Sequence, residues 1–283
     1  MNKWGFFFIF KVVINNKVLL TTLLIFILNS CAIKSFDQRV DFLNQINQNE
    51  FSRVIYQNDL DIFSLQRINN SNSVIIYIEG DGLSWIDRFT PSSDPTPVDP
   101  LTFKLAKLDQ NPNVIYLGRP CQYVKNNQCR KEIWTKLQYS KLVMSQYEEI
   151  LKEVLKNHSE AHLIGYSGGS VVAMYLASIE GLNIKSVRTI AGNIDPNKFT
   201  NLLNLSSYQT SINLDQIDDK IKSIPQIHYY GDKDQVIPKE IHLDYQNKYI
   251  NNSCIKTAEV KASHIQGWEV FWKNNYNFLP DCY

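Results

Sequence analysis

A glycine-rich turn between a strand-like and a helix-like segment limits the folds open to this chain. Residues 161–165 form a short, mostly apolar run, and residues 169–178 have the composition of a buried helix. The turn between them reads GYSGG and matches the pattern G-x-S-x-G. Flanking glycines let a strand and a helix approach without a Cβ clash, so the serine is presented at the edge of a sheet. This context predicts that Ser167 is a nucleophile; an N-cap serine on a plain glycine turn is the alternative.

Strand-like and helix-like segments alternate along the rest of the chain. Short apolar, β-branched runs predict strands at residues 53–56, 62–67, 73–78, 113–117, 161–165, 186–191, 226–230 and 257–261. Helical periodicity and composition predict helices at residues 134–156, 169–178, 239–249 and 265–276. This alternation predicts an α/β fold with a mainly parallel central sheet flanked by helices. Ligands of such sheets bind beyond the carboxyl ends of the strands, so the turns that follow strands are the candidate site.

A nucleophilic serine needs a general base, because a serine hydroxyl is a weak nucleophile at its ordinary pKa. The chain has five histidines. Only His264 follows a predicted strand, in the loop KASHIQGW before the last predicted helix. The other four lie before or within predicted strands or on a predicted surface helix, and they are His158, His162, His228 and His242. We therefore expect His264 to be the base.

The base in turn needs a carboxylate that orients its ring. Asp234 lies at the crest of the loop GDKDQVIP, which follows the predicted strand at 226–230. Asp232 in the same loop is the nearest alternative, and its expected role is to bond the backbone of the turn. Asp195, after the predicted strand at 186–191, is a third candidate. Preferring Asp234 gives the chain order Ser, Asp, His, which is that of α/β-hydrolases.

An oxyanion hole requires two backbone N–H donors beside the nucleophile. The first is expected from Gly168, the residue after the serine. The second is expected from the turn YIEGDGLSW, which follows the predicted strand at 73–78. Asp81 is the first choice in this turn and Gly82 the second. A plain glycine turn is the alternative.

These segments together resemble the α/β-hydrolase superfamily from about residue 73 to the C-terminus, and more narrowly a group of bacterial α/β-hydrolase lipoproteins. The matching stretches are YIEGDGLSW, PTPVDPLTFKLA, YLGRPCQY, GYSGGSVVA, AGNID, PQIHYYGDKDQVIP and SHIQGW. The resemblance implies a serine hydrolase with a Ser–His–acid triad and no cofactor. One departure is Glu79-Gly80, which stands where many members of the superfamily have His-Gly and leaves an unexplained carboxylate near the site.

Two long loops and one insertion are expected to shape the substrate pocket. The loops are residues 85–100, which are proline-rich, and residues 119–134. Residues 193–224 lie where many hydrolases carry a lid, but their modest apolarity argues against a large lipase lid. Four aromatic residues are candidates for the wall of an acyl pocket, with packing in the core as the alternative: Trp85, Tyr123, Tyr166 and Trp268.

The N-terminus has the features of an export signal. Lys3, Lys11 and Lys17 precede an uncharged apolar run at residues 18–28, which is shorter than a membrane-spanning helix needs. Its length and basic flank suit the h-region of a secretory signal. The run ends in LNSC, which resembles a bacterial lipobox. In such signals the cysteine, here Cys31, is lipidated and becomes the mature N-terminus.

The chain is therefore divided into a signal peptide at 1–31, a tether or leading helix at 32–50 and a single α/β-hydrolase domain at 51–283. An uncleaved membrane anchor is the alternative to processing at Cys31. In both cases the domain is expected outside the cytoplasm, in a bacterial cell envelope and tethered to a membrane. No obvious inner-membrane retention signal follows Cys31, which favours the outer membrane, facing the periplasm.

The cysteines agree with an exported protein. Setting Cys31 aside leaves four of the five cysteines, and an even number outside the cytoplasm indicates disulfides. Of the three possible pairings we favour Cys121–Cys129, which closes a loop, and Cys254–Cys282, which pins the C-terminus. Free thiols are the alternative. A metal site is not expected, because the spacing matches no zinc pattern.

These features predict a hydrolase of carboxylic esters or thioesters that acts on a small-molecule acyl substrate. The formal net charge of +1 gives no electrostatic reason to expect nucleic acid as a partner. An amide or peptide hydrolase with the same triad is one alternative. A non-catalytic envelope lipoprotein that uses the fold for binding is another, and it predicts that a triad member is missing.

Overall fold

The described residues form an eight-stranded sheet at the centre of the structure, which is a computed structural model. Its strands are β1 Ser52–Tyr56, β2 Ile62–Arg67, β3 Val74–Ile78, β4 Val114–Leu117, β5 Ala161–Tyr166, β6 Ile184–Ile190, β7 Gln226–Gly231 and β8 Ile255–Val260. They are arranged in the order β1-β2-β4-β3-β5-β6-β7-β8. β2 runs antiparallel to β1 and β4, and all other neighbours are parallel. The predicted mainly parallel α/β sheet is confirmed.

The structure describes residues 33–70, 72–209 and 214–283, with only the backbone for 214–216. One compact unit spans Ser35–Tyr283. The predicted signal peptide and its Cys31 lie outside the described residues. Within the described ranges, no helix combines the length and the apolar character needed to cross a membrane.

Helices connect the strands and pack on the sheet. They are α1 Phe36–Asn47, α2 Leu101–Leu108, α3 Lys131–Trp134, α4 Lys141–Val154, α5 Gly169–Ala177, α6 Pro196–Leu202, α7 Leu214–Ile221, α8 Glu240–Lys248 and α9 Trp268–Lys273. The predicted helix at 134–156 is confirmed over Lys141–Val154, but its first part is wrong, because the chain leaves the helical path between α3 and α4. There the buried Gln138 offers its carbonyl to the guanidinium of Arg119, at 3.0 Å, rather than to a helical N–H.

The core consists of two apolar clusters, one on each face of the sheet. Successive side chains of a strand point to opposite faces. In β3, Ile76 and Ile78 belong to the cluster under α4 and α5. Ile75 and Tyr77 belong to the other cluster, which includes residues of α1, α2 and α9. Burial on both faces explains why β3 is an unbroken apolar run. Because β3 to β8 are parallel, their carboxyl ends lie at one edge of the sheet.

Both expected disulfides are present. Cys121–Cys129 closes the loop that follows β4, and Cys254–Cys282 joins the entry of β8 to the C-terminus. The free-thiol alternative is therefore wrong in the structure.

The longer cross-link is expected to stabilise the fold. Replacing both Cys254 and Cys282 by Ser frees a segment closed over 28 positions of sequence, and the greater chain entropy of the unfolded state should lower the free energy of unfolding by about 3 kcal/mol. Urea denaturation without reductant measures the difference. An unchanged midpoint, with the wild-type disulfide verified by mass spectrometry, would contradict this expectation.

Candidate active site

Close packing of three elements forms the turn that carries Ser167. A Cβ added to Gly165 would lie 2.5 Å from Ser170 Cα, and one added to Gly169 would lie 2.4 Å from the carbonyl oxygen of Ile78. Both contacts are too short for any side chain, so β5, α5 and β3 approach this closely only because these residues are glycines. Ser167 between them has φ 49°, a left-handed conformation that is costly for a residue with a Cβ.

Three loops at the carboxyl edge bring the predicted serine, histidine and aspartate together. The Nε2 atom of His264 lies 3.2 Å from Ser167 Oγ, and its Nδ1 atom lies 2.9 Å from Asp234 Oδ2. The other oxygen of Asp234 accepts the backbone N–H groups of Val236 and Ile237, at 2.8 and 3.0 Å. The carboxylate is thus held by its own loop while it contacts the imidazole, an arrangement able to orient a general base.

The environment keeps Asp234 ionised and sets the histidine tautomer. Burial raises the pKa of Asp234, but the hydrogen bond and charge of His264 and the two backbone N–H groups outweigh it, so the net pKa is lowered. Because a carboxylate only accepts hydrogen bonds, Nδ1 of His264 must carry a proton. Nε2 of the neutral ring is then free to accept the proton of Ser167.

The loop that carries His264 is held through its carbonyl groups. The hydroxyl of Tyr166 donates to the His264 carbonyl at 3.0 Å. The indole N–H of Trp268 donates to the carbonyls of Ser263 and His264, at 2.8 and 3.1 Å. Tyr166 and Trp268 were candidates for a pocket wall, but both are buried and their polar atoms support the histidine loop instead.

The two competing aspartates have other roles. Asp232 accepts the N–H of Ala262 at 3.0 Å and donates its own N–H to Val260, which ties the loop after β7 to the loop after β8. Asp195 caps α6 by accepting the N–H of Lys198 at 2.9 Å. The structure therefore brings Asp234, and neither of the alternatives, against the imidazole.

The four other histidines belong to the fold. His228 is fully buried between Thr189 and Gln226, and burial lowers its pKa to about 3. His162 contacts Ser186, and His158 contacts the Asn72 carbonyl. The expectation that His242 lies on a surface helix is wrong, because α8 turns this residue into the core. There it stacks on Tyr230, and burial lowers its pKa to about 4.

The predicted oxyanion turn lies directly against the nucleophile turn. A Cβ on Gly80 would stand 3.1 Å from Ser167 Cβ, and one on Gly168 would stand 1.9 Å from Asp81 Oδ1. Gly82 has φ 61°, which a glycine adopts without strain. Within the described part of the chain, the N–H groups of Asp81, Gly82 and Gly168 make no hydrogen bond. They remain available to an acceptor at Ser167.

The contacts of Glu79 show what this carboxylate does in the Glu79-Gly80 pair, where many members of the superfamily have His-Gly. Its carboxylate is fully buried and accepts the Gly80 N–H at 2.9 Å, the Tyr116 hydroxyl at 2.9 Å and the Thr102 hydroxyl. Burial raises the pKa of Glu79 to about 7, although these hydrogen bonds pull the pKa down. The carboxylate therefore anchors the start of the oxyanion turn from within the core and does not face a substrate.

A small pocket opens beside the oxyanion turn. Its lining consists of Asp81, Ser84, Arg119, Pro120, Ile133, Trp134 and Gln138. Arg119 pairs with the carboxylate of Asp81 at 3.1 Å, and this pair compensates a negative charge next to the serine. Among the remaining aromatic candidates, Tyr123 is buried in the core and Trp85 is 45% exposed.

The loop after β3 meets residues 193–224, the segment that lies where many hydrolases carry a lid. Arg88 donates to the carbonyls of Leu203 and Asn204, at 3.0 and 2.8 Å. The N–H of Gln209 donates to the Lys136 carbonyl at 2.7 Å. These contacts hold the described part of the segment, which includes α6, beside the loops that follow β3 and β4.

Sequence reasoning missed Arg119 and Gln122 as residues of this region. The signal was the stretch YLGRPCQY, which begins in the last two residues of β4 and continues into the turn after it, as YIEGDGLSW does at the end of β3. Two neighbouring parallel strands end at the same edge, so polar residues after β4 are placed beside the turn after β3.

Comparison with known protein families gives one match. A family model described as serine hydrolase (FSH1) matches residues 115–265, more than half of the chain. No curated protein matches the sequence.

Similar solved structures share the fold at low sequence identity. An esterase from Pyrococcus furiosus is 15% identical, with 80% of this chain and 90% of that chain covered and a TM-score of 0.57. Est1E from Butyrivibrio proteoclasticus, in complex with ferulic acid, is 13% identical, with 78% and 95% covered and a TM-score of 0.57. The carboxylesterase CesB from Bacillus subtilis is 12% identical, with 85% and 94% covered and a TM-score of 0.53.

The buried Glu79 predicts a pH-dependent stability. Because its folded-state pKa of about 7 lies above the ordinary 4.5, its stabilising contribution is complete below about pH 4.5 and is lost as the pH rises through about 7. Relative to Glu79→Gln, the wild type should lose about 3 kcal/mol of unfolding free energy over this window. Urea denaturation at a series of pH values measures it. The exposed Glu180→Gln is the matched control, and a parallel pH profile for both variants would refute the expectation.

Proposed function

Because the chain belongs to the serine hydrolase (FSH1) family within the α/β-hydrolase superfamily, we propose that it hydrolyses carboxylic esters or thioesters with Ser167, His264 and Asp234 as its catalytic triad. The observation that carries this proposal is the pair of contacts made by one imidazole. Nε2 of His264 meets the serine hydroxyl at 3.2 Å while Nδ1 meets the aspartate at 2.9 Å. This is the arrangement that activates a serine for attack on a carbonyl carbon.

The first half of the reaction acylates the serine. Ser167 Oγ attacks the carbonyl carbon of the substrate while Nε2 of His264 removes the hydroxyl proton. Asp234 stabilises the imidazolium that forms. The oxyanion of the tetrahedral intermediate accepts hydrogen bonds from the N–H of Gly168 and of Asp81, with Gly82 as the alternative second donor. The N-terminus of α5 lies beside the same oxygen and adds favourable electrostatics.

Loss of the leaving group and hydrolysis of the acyl-enzyme complete the reaction. His264 returns the proton to the leaving alcohol or thiol, which departs as the carbonyl group re-forms, and the acyl group remains on Ser167. His264 then takes a proton from water while the water oxygen attacks the acyl carbon and forms a second oxyanion. When this intermediate collapses, the bond to Ser167 Oγ breaks, His264 returns the proton to Ser167, and the carboxylic acid leaves. No cofactor takes part in this sequence. Each step uses the same imidazole as base and then as acid, so its orientation by Asp234 matters twice.

Two alternatives use the same fold. An amide or peptide hydrolase would need the same three residues, and hydrolysis of peptide substrates in preference to acyl esters would distinguish it. A non-catalytic binding protein is disfavoured, because all three triad residues are in contact. The proposed substrate is a small-molecule acyl ester or thioester.

An exported, membrane-tethered location is the second part of the proposal. Two disulfides favour an oxidising compartment. The sequence before the domain has the basic, apolar and lipobox-like parts of a lipoprotein signal that ends at Cys31. We expect a domain held at the bacterial cell envelope by lipid on Cys31 or by the uncleaved signal, with the outer membrane as the favoured site.

The triad is tested by labelling with a fluorophosphonate probe and by hydrolysis of an activated acyl ester. Ser167→Ala and His264→Ala should abolish labelling, and Asp234→Asn should lower kcat by about 10⁴-fold because the imidazole loses its orienting charge. Asp232→Asn is the matched control, since an asparagine oxygen still accepts the Ala262 N–H, and it should retain kcat within a few-fold. Labelling of a folded Ser167→Ala would overturn the assignment of the nucleophile.

The anchor is tested with the full chain expressed in a bacterium and fed an alkyne-tagged palmitate. The wild type should incorporate the label and sediment with membranes, because lipid is attached at Cys31. Cys31→Ser should lose the label, and Cys254→Ser serves as the control cysteine that keeps it. Membrane sedimentation without label supports the uncleaved anchor, whereas an unlabelled wild type in the soluble fraction would contradict both forms of tethering.

A further inference from the structure

The turn after β4 carries a buried amide that contacts the oxyanion turn. We propose that Gln122 is a positioning residue that fixes the direction of the Gly80–Asp81 peptide and so directs the Asp81 N–H toward the oxyanion. This inference rests on the proposed function, because it assigns a role within the same oxyanion hole.

Every polar group of the Gln122 side chain is used. The side chain is fully buried, and its Oε1 accepts the backbone N–H of Arg119 at 2.9 Å. Its Nε2 donates to the carbonyls of Gly80 and Pro95, at 3.1 and 3.3 Å. The reverse orientation of the amide would set NH₂ against an N–H and an oxygen against two carbonyls. The orientation with Nε2 facing Gly80 is therefore the one that the surroundings permit.

Because the peptide group is planar, the hydrogen bond from Gln122 to the Gly80 carbonyl also fixes the direction of the Asp81 N–H. The described residues include no cis peptide bond, and in a trans peptide the C=O and the following N–H point in opposite directions. Because the Gly80 carbonyl points at Gln122, the Asp81 N–H points away from Gln122. Gly80 itself lies against Ser167, with a Cβ position 3.1 Å from Ser167 Cβ. We therefore place the free N–H of Asp81 on the side of the nucleophile.

The turn is held from a second direction as well. Glu79 accepts the Gly80 N–H, so the peptide group on each side of Gly80 is bonded to a buried side chain. Arg119, three residues before Gln122, holds the Asp81 carboxylate at 3.1 Å. Without Gln122, rotation of the Gly80–Asp81 peptide would replace a donor by a carbonyl lone pair at the oxyanion. This would raise the free energy of the transition state, in which the oxyanion forms, more than that of the bound substrate.

The test compares kcat and KM for an activated short-chain acyl ester in Gln122→Glu and Gln122→Met. Gln122→Glu keeps the shape of the side chain and the acceptor for Arg119 but loses the Nε2 donor. We expect kcat to fall by about 10²-fold with KM changed by less than about threefold, because one oxyanion donor is misdirected. A buried carboxyl that keeps its proton can still donate to the Gly80 carbonyl, so Gln122→Met, which has no donor, is the decisive variant. A folded Gln122→Met with kcat within about threefold of wild type would overturn the inference.

A matched control separates positioning from stability. Gln146 is also a buried glutamine whose amide accepts a backbone N–H, from Leu60, and donates to a backbone carbonyl, of Leu142. It lies on α4, outside the triad and the oxyanion turn. Gln146→Glu should lower the Tm while kcat stays unchanged, so loss of kcat in both variants in proportion to Tm would count against a specific role for Gln122.

Crystal structures supply a readout that does not depend on turnover. The Gly80–Asp81 peptide should be rotated in Gln122→Glu or in Gln122→Met, whichever crystallises, and an unrotated peptide would overturn the inference. Failure of the proposed function gives a different result. If Ser167→Ala retains wild-type hydrolysis, the triad is wrong, whatever Gln122 does to the peptide.

Discussion

The close approach of β5, α5 and β3 is the constraint on which the site depends. Gly165 and Gly169 allow backbone contacts that any Cβ would prevent, and the turn between them forces Ser167 into a left-handed conformation. The neighbouring chain secures this turn, because the Ser167 N–H donates to Ile190 and its carbonyl accepts the N–H of Asn193, both at 3.0 Å. A strained serine is thus held by the sheet and by the loop after β6, and its hydroxyl stands at the edge where the other loops converge.

Three carboxylates surround the serine, and each is held in a different way. Asp234 accepts hydrogen bonds from His264 and two backbone N–H groups, which lower its pKa and keep it charged. Asp81 is paired with Arg119. Glu79 is buried among hydroxyl groups with its pKa raised to about 7. The proposed oxyanion would therefore form without an uncompensated negative charge close to it, and the same contacts fix the two turns beside Ser167.

Local pattern predicted most of the sheet, and it failed where long-range contacts override periodicity. The strand β2 was predicted with its observed bounds, Ile62–Arg67, because its apolar run ends at clear turn residues. The predicted helix at 134–156 is broken in the structure, since Gln138 gives its carbonyl to an arginine of the loop after β4. The short α2, with no side-chain N-cap, has no local signal strong enough to reveal it. The sequence predicts His242 on a surface helix, because the contacts of α8 with the sheet, which bury this residue, do not show in its local pattern.

The sequence by itself determined the class of fold, the G-x-S-x-G turn around Ser167 and the chain order of serine, aspartate and histidine, because these follow from local residue types and their spacing. It left three cysteine pairings open, and the structure contains the favoured one. Only the tertiary structure decided between Asp234 and Asp232, revealed Glu79 as an anchor within the core, and brought Gln122 to the oxyanion turn. These outcomes depend on which groups from distant segments meet at the carboxyl edge of the sheet. Hydrogen bonds are short and directional, so a displacement of one residue along a loop changes the partner, and residue spacing alone does not contain that information.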